Sequence, residues 1–301
     1  SVMIGAGFSR NAVRRDASRP MPPDWKGLAQ ALAVRLYPNS DAAHIAETKT
    51  ALELGSEYAA KEGRPALENF LREQIDDENL LPGKLHTAFF KLPWSEVFTT
   101  NYDTLLEKAT EDVLVRRFQV IKAKDELIES ESPRIVKLHG SVDCTERPLI
   151  FTEEDYRTYE TANEPLVNLV RQTLIEDRLC LIGFSGKDPN FKKWDGWFRD
   201  EYCADADDPR IFLVGAEDFP EPEIAALVKR GIRVLDLREC FPDCDGDVAQ
   251  LLGKFFEGLL QNPTNSEWKA SYFNNWDCQT PEQEVISKIE ILGRERVTQP
   301  N

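Results

Sequence analysis

The sequence predicts an α/β fold: a Rossmann-like, doubly wound parallel sheet with a helical insertion subdomain. Two observations predict it. Short apolar runs bounded by turn residues recur at 2–4, 96–100, 134–138, 179–183, 211–215 and 233–237, and several lack alternation, as parallel strands covered on both faces do. Between them lie amphipathic segments of helical length, and strand alternating with helix is the pattern of a doubly wound sheet.

Taken in order, Val2-Met3-Ile4 reaches Gly5 with no lead-in, so residues are expected to precede Ser1. From 25 to 92 the alternation stops. Helical patterns run over 28–37, 44–61, 66–74 and 85–92 with no convincing strand among them, so this stretch is expected to be an inserted subdomain or lid. The segment 102–110 follows the next strand directly as a helix. Another, 165–177, starts with Pro165, at a position where the missing N–H costs nothing. Helices at 221–230 and 248–261 come later, and loops rich in Pro and Asp at 19–24, 204–209 and 241–247 punctuate the chain,. The expected division is 1–24 with 93–245 as the sheet domain, 25–92 as the helical insertion, and 246–301 as a C-terminal extension. That extension carries Trp268, Tyr272, Phe273, Trp276 and a helix-like 281–292.

Composition narrows the function. Hydrophobic residues make up 41% of the 301, enough for a sizeable core. The 53 Asp+Glu outnumber the 37 Lys+Arg, a formal net charge of -16, and so acidic a surface repels phosphodiester backbones. Direct nucleic-acid binding is therefore not expected. No apolar run reaches the ~18 residues of a membrane span, and the expected location is cytoplasmic. The six cysteines form no Cys-x-x-Cys pair; Cys180 reads as a buried thiol, and Cys240 with Cys244 lacks the second pair a zinc site needs. No metal site is expected. Histidine chemistry has only His44, His86 and His139 to draw on.

Four motifs fall at strand ends. Gly5-Ala6-Gly7-Phe8-Ser9 follows the first strand; glycines there let a backbone approach a pyrophosphate, although a tight turn without ligand uses the same residues. Arg10 stands where the dinucleotide fingerprint has its third glycine,. Thr99-Thr100-Asn101-Tyr102-Asp103 leads from strand to helix. A helix cap needs one of Asn101 and Asp103; the other is left for a ligand at the carboxyl edge. Leu138-His139-Gly140-Ser141 ends a strand in an imidazole able to act as general base,. Gly183-Phe184-Ser185 ends another, then turns through Asp188-Pro189-Asn190 into a helix whose Trp194, Trp197 and Phe198 read as core or interface.

In this order the four motifs resemble the sirtuin fold over about residues 1 to 240. They are most similar to the sirtuin-like domains of bacterial anti-phage defence proteins, through Phe98-Thr99-Thr100-Asn101-Tyr102-Asp103 and Gly183-Phe184-Ser185 with Asp188-Pro189-Asn190-Phe191. The resemblance implies an NAD-binding domain that hydrolyses NAD to ADP-ribose and nicotinamide, depleting NAD as a defence effector. It implies Asn101 orienting water and ribose, His139 as base on a ribose hydroxyl or water, and Asp103 contacting the nicotinamide end or stabilising the developing charge. Gly5, Ala6, Gly7, Phe8 and Ser9 would hold the pyrophosphate, with Thr100 beside them and Gly183, Phe184 and Ser185 along the adenosine side. Sirtuin deacetylases hold zinc through two Cys-x-x-Cys pairs; this chain has neither, so no zinc is expected. An NAD-dependent protein deacylase and a non-catalytic nucleotide-binding sensor or scaffold are the alternative readings. A silent effector needs something to restrain it, so a homo-oligomer or an assembly with a sensor, an ATPase, an Argonaute-type partner or further fused domains is expected. Light scattering beside an NAD assay tests this; a monodisperse monomer with full constitutive activity would contradict it.

Overall fold

The computed structural model describes residues 1–261 apart from 112, 114, 115, 203–208, 216–219, 245 and 246. Cys203, Cys278, the four aromatics of the extension and the helix-like 281–292 lie outside the described residues. Among the described residues nine strands occur: β1 (Val2–Ile4), β2 (Val13–Arg14), β3 (Leu80–Leu81), β4 (Glu96–Thr99), β5 (Gln119–Ile121), β6 (Arg134–Lys137), β7 (Leu179–Ile182), β8 (Ile211–Gly215) and β9 (Ile232–Asp236). Seven form one parallel sheet in the order β5-β6-β4-β1-β7-β8-β9. The α/β, Rossmann-like prediction is met. β5 was not anticipated, and β3 is a strand inside the stretch read as purely helical, paired antiparallel with β2.

The strands are apolar because both faces are covered. Along β1, Val2 and Ile4 enter one core while Met3 enters the other. The first core takes Phe89 and Phe90, then Phe255 and Phe256 of the Val248–Gln261 helix. The second takes Val167, Val170 and Leu174 of the Glu164–Glu176 helix and Phe191, Trp194 and Phe198 of the Pro189–Tyr202 helix. Each such aromatic, fully buried, stabilises by about 1.5–3 kcal/mol. Cys180 lies at the sheet centre, fully buried, and burial pushes its thiol up to about 12, so it is inert as a nucleophile.

Helices Trp25–Leu36, Ala51–Glu62 and Arg64–Ile75 build a third core with Leu28, Leu32, Leu54, Leu67 and Phe70. The predicted helix over 44–61 is two helices, Ala42–Thr48 and Ala51–Glu62; Thr50 caps the second, its hydroxyl accepting from Glu53 N–H. Helix Lys84–Phe89 does not join them, since Leu85 and Phe89 pack in the first sheet core. Two arginines tie the third core to the sheet's loops. Arg64 pairs with Asp155 at 2.8 Å, and Arg72 donates to Val142 O at 3.1 Å. Among the described residues no helix is long and apolar enough to cross a membrane.

Candidate active site

β1 is the strand at which the winding reverses, with β4 on one side and β7 on the other. Crevices at the carboxyl end of such a strand are where ligands bind in open α/β sheets. Registers Ile4↔Thr99 and Ile4↔Ile182 bring Gly5, Thr100 and Gly183 to one edge. Thr99↔Lys137 sets Asn101 and His139 at equivalent positions beyond two adjacent strands.

The turn after β1 packs against the turn after β7. Gly5 N–H donates to Ile182 O at 3.0 Å and Gly7 N–H to Gly183 O at 2.9 Å. A Cβ on Gly7 would stand 2.9 Å from Gly183 O, and one on Gly5 would overlap the same carbonyl. The glycines are thus required by backbone packing, and the amides of Gly5 and Gly7 are not free for a phosphate. Ala6 and Gly7 face solvent at the turn, whereas Phe8 is core, its ring 4.7 Å from His86 and 5.5 Å from Phe89. Phe184 is also core, 5.2 Å from Phe191, while Ser185 is exposed and Thr100 half-buried.

Asn101, Ser9 and Asp103 form one buried network. Asn101 Nδ2 donates to Ser9 Oγ at 2.9 Å, and Ser9 Oγ donates to Asp103 Oδ2 at 2.8 Å. Asp103 Oδ1 accepts from Leu105 N–H at 3.2 Å, so Asp103 rather than Asn101 takes the cap-like bond at the start of the following helix. Asn101 N–H is held by Thr99 Oγ1 at 3.0 Å, and among the described residues nothing donates to its Oδ1. Lys137 supports the network from below: fully buried, it donates to Asp103 O and pairs with Glu107 at 3.2 Å. Burial raises the Glu107 carboxyl against the opposing pull of Lys137. Sequence reading took Lys137 only as part of an apolar strand.

His139 is fully buried. Burial lowers its pKa while Asp188 and Asp155 pull it up, which leaves a neutral imidazole at physiological pH. Its neighbours are Tyr156 Oη, 3.4 Å from Nδ1, and Asn190 Nδ2, 3.4 Å from Nε2. Tyr156 stands on the helix Glu153–Ala162, capped by Thr152, an element the sequence reading left out. Its signal was the Thr-x-x-Asp capping box of Thr152 and Asp155.

Residues 95–235 match the family described as the SIR2-like domain. The matched residues hold Asn101, Asp103, His139 and Gly183, while the Gly5–Ser9 turn lies outside them. Two curated relatives named NAD(+) hydrolase ThsA are similar to the chain. The one from Acinetobacter baumannii is 28% identical, over 90% of this chain and 58% of its own length. The one from Bacillus cereus is 23% identical, over 98% and 61%. The chain thus spans about three fifths of the length of these relatives. Among solved structures it is similar to a Sir2 homologue mutant in complex with ADP ribose, at 15% identity and a TM-score of 0.47, covering 88% of this chain and 94% of that one. Among the described residues, no group of three or more His, Cys, Asp or Glu could hold a metal. Cys144, Cys180, Cys240 and Cys244 form no disulfide among the described residues.

His86 packs against the turn after β1. It is buried under Phe8, its Nδ1 accepting from Gly83 N–H at 3.2 Å. Burial pushes its pKa down to about 4, against a smaller upward pull from Asp103. The folded value lies below the unfolded one, so the folded state binds fewer protons between them. Stability is therefore full above pH ~6.5 and is lost as pH falls through about 4,. The loss attributable to His86 is expected to be about 3 kcal/mol. Urea unfolding at pH 7 and pH 4.5 checks this: the pH dependence should shrink in His86→Phe, and an unchanged dependence would contradict it.

Proposed function

We propose that the chain hydrolyses NAD to ADP-ribose and nicotinamide. The observation that carries this reading is the Asn101–Ser9–Asp103 network beside His139, at adjacent strand ends of the switch point. The SIR2-like match and the name of the two ThsA relatives support it. In the reaction, the bond between C1′ of the ribose and the nicotinamide nitrogen breaks and its electron pair leaves with nicotinamide. Positive charge develops at C1′, as in glycoside cleavage. The Asp103 carboxylate supplies opposite charge to that end. Asn101 Oδ1 orients the water, His139 Nε2 takes its proton, and the remaining hydroxyl bonds to C1′. Ala6, Gly7 and Ser9 face the pyrophosphate, and Gly183 with Ser185 lines the adenosine side.

On this reading the protein is a cytoplasmic effector of anti-phage defence that acts by depleting NAD, within an oligomer or an assembly that restrains it. The third core, to which the helices between 25 and 75 contribute most and Tyr102, Leu105, Val142, Leu149 and Phe151 the rest, supports treating these helices as an insertion packed against the sheet's loops. Purified protein incubated with NAD, its products separated by chromatography, is expected to release nicotinamide and ADP-ribose in equal amounts. NAD bound but left intact by the assembled, triggered protein would overturn the proposal.

A further inference from the structure

The two ring nitrogens of His139 have different neighbours, and these decide which nitrogen carries the proton. Tyr156 Oη lies 3.1 Å from Asp188 Oδ2 as well as 3.4 Å from His139 Nδ1. A phenol has one hydrogen to give, and a carboxylate oxygen can only accept. The Tyr156 hydrogen therefore goes to Asp188, and the phenol oxygen faces Nδ1 as an acceptor. Nδ1 holds the imidazole proton, and Nε2 is unprotonated: Asp188 Oδ2 stands 3.9 Å from it, too far to accept a hydrogen bond,. The other side of the ring agrees, because the Asn190 amide nitrogen at Nε2 can only donate. Asn190 Oδ1 meanwhile is buried without a partner. The reverse tautomer would let a turned-over Asn190 accept from Nε2–H, but would set the lone pairs of Nδ1 and Tyr156 Oη against each other.

We propose that Tyr156 and Asp188 are positioning residues forming a relay, from His139 Nδ1–H to Tyr156 Oη–H to Asp188 Oδ2, that fixes the His139 tautomer and bares Nε2 as the base of the site. The proposal rests on the reading of His139 given above. Asp188 is held in register by its second oxygen, Oδ1, which accepts from Phe191 N–H at 2.9 Å and caps the Pro189–Tyr202 helix. One carboxylate thus serves both the helix start and the relay. Tyr156 is buried edge-on to the imidazole, with ring centroids 5.2 Å apart.

The test uses the full chain labelled with 15N-histidine, with long-range proton–nitrogen spectra reporting which nitrogen of each ring is protonated. Loss of a signal in His139→Gln assigns His139 among the three histidines. The wild-type ring is expected to be protonated at Nδ1. Asp188→Asn keeps the cap through its amide oxygen, so its NH2 turns to Tyr156, the phenol hydrogen swings to Nδ1 and the imidazole proton moves to Nε2. The spectrum should invert, and kcat for nicotinamide release should fall by about 10²-fold or more with KM little changed. Tyr156→Phe removes the Nδ1 acceptor and should invert the spectrum as well, with Asn190 turning over to accept from Nε2–H. A wild-type ring protonated at Nε2, spectra left unchanged by both variants, or an inverted Asp188→Asn with wild-type kcat would each overturn the relay. The spectra do not depend on turnover. Failure of the NAD reading would appear separately, as a wild-type protein that leaves NAD intact while the tautomer still inverts in Asp188→Asn.

Discussion

His139→Ala is expected to lower nicotinamide release from NAD by about 10²–10⁴-fold, the range that a positioned general base contributes. Without the imidazole, nothing at the strand end takes the proton of the attacking water, and the cation at C1′ returns to nicotinamide more often than it is captured. Asn101→Ala should act differently. It removes the amide that donates to Ser9 at 2.9 Å together with the acceptor that orients water, so both the order of the Ser9–Asp103 pair and the aim of the nucleophile are lost. A fall of about 10²–10³-fold is expected, as for removal of one positioned hydrogen-bonding group. The double variant should be little worse than the poorer single one, because groups acting as a unit are not additive. Steady-state rates of the three proteins, each confirmed folded, check this. Turnover within tenfold of wild type in His139→Ala would remove His139 from the chemistry.

Gly183→Ala is expected to have the largest effect on stability. The residue sits at φ 60°, in the left-handed region, where a Cβ costs about 1–2 kcal/mol. A Cβ there would also overlap Phe8 N and lie 2.9 Å from Gly7 C, and such overpacking adds about 1–3 kcal/mol. The sum, roughly 3 kcal/mol, is a large part of the 5–15 kcal/mol of an ordinary domain. Gly186 is the internal control. Its φ is 67°, but a Cβ would meet nothing nearer than Phe191 Cε1 at 3.9 Å. Gly186→Ala should therefore lose only the backbone cost, about 1–2 kcal/mol. Urea unfolding of the two variants separates crowding from backbone strain, and equal losses would show that the Gly183–Phe8 contact yields to the added carbon.

Much of the fold was legible because buried parallel strands are apolar runs. β1, β4, β6, β7, β8 and β9 each carried that signal. β5 did not: Gln119–Ile121 is an edge strand of three residues with only Ile121 fully buried, so little selects for an apolar run. The helix Glu153–Ala162 was hidden for a related reason, since only Tyr156 and Tyr159 of its ten residues are buried. At the site, Asn101, Asp103 and His139 were legible as polar residues interrupting apolar strands. Phe8 and Phe184 stood in the same motifs, and a motif does not say which of its side chains turn inward. Nor could it show that the Gly5–Ser9 turn spends two amides on the neighbouring strand end and loop. The partners of His139 were beyond sequence reading, because Tyr156 and Asn190 lie 17 and 51 residues further on and meet it only through the packing of two helices on the sheet.

The central place of the first strand has a consequence for how the protein is made. β1 pairs on one side with β4 and on the other with β7, which ends at Ile182. On the ribosome, β1 meets β4 first and must wait for its second partner some 180 residues downstream, roughly 10–40 s at ordinary elongation rates,. Until then the turn that meets Gly183 has nothing to close against. The crevice therefore closes only once β7 has been made, and a truncated translation product ending before β7 would hold Asn101 and His139 without the Gly183 turn that walls the candidate site.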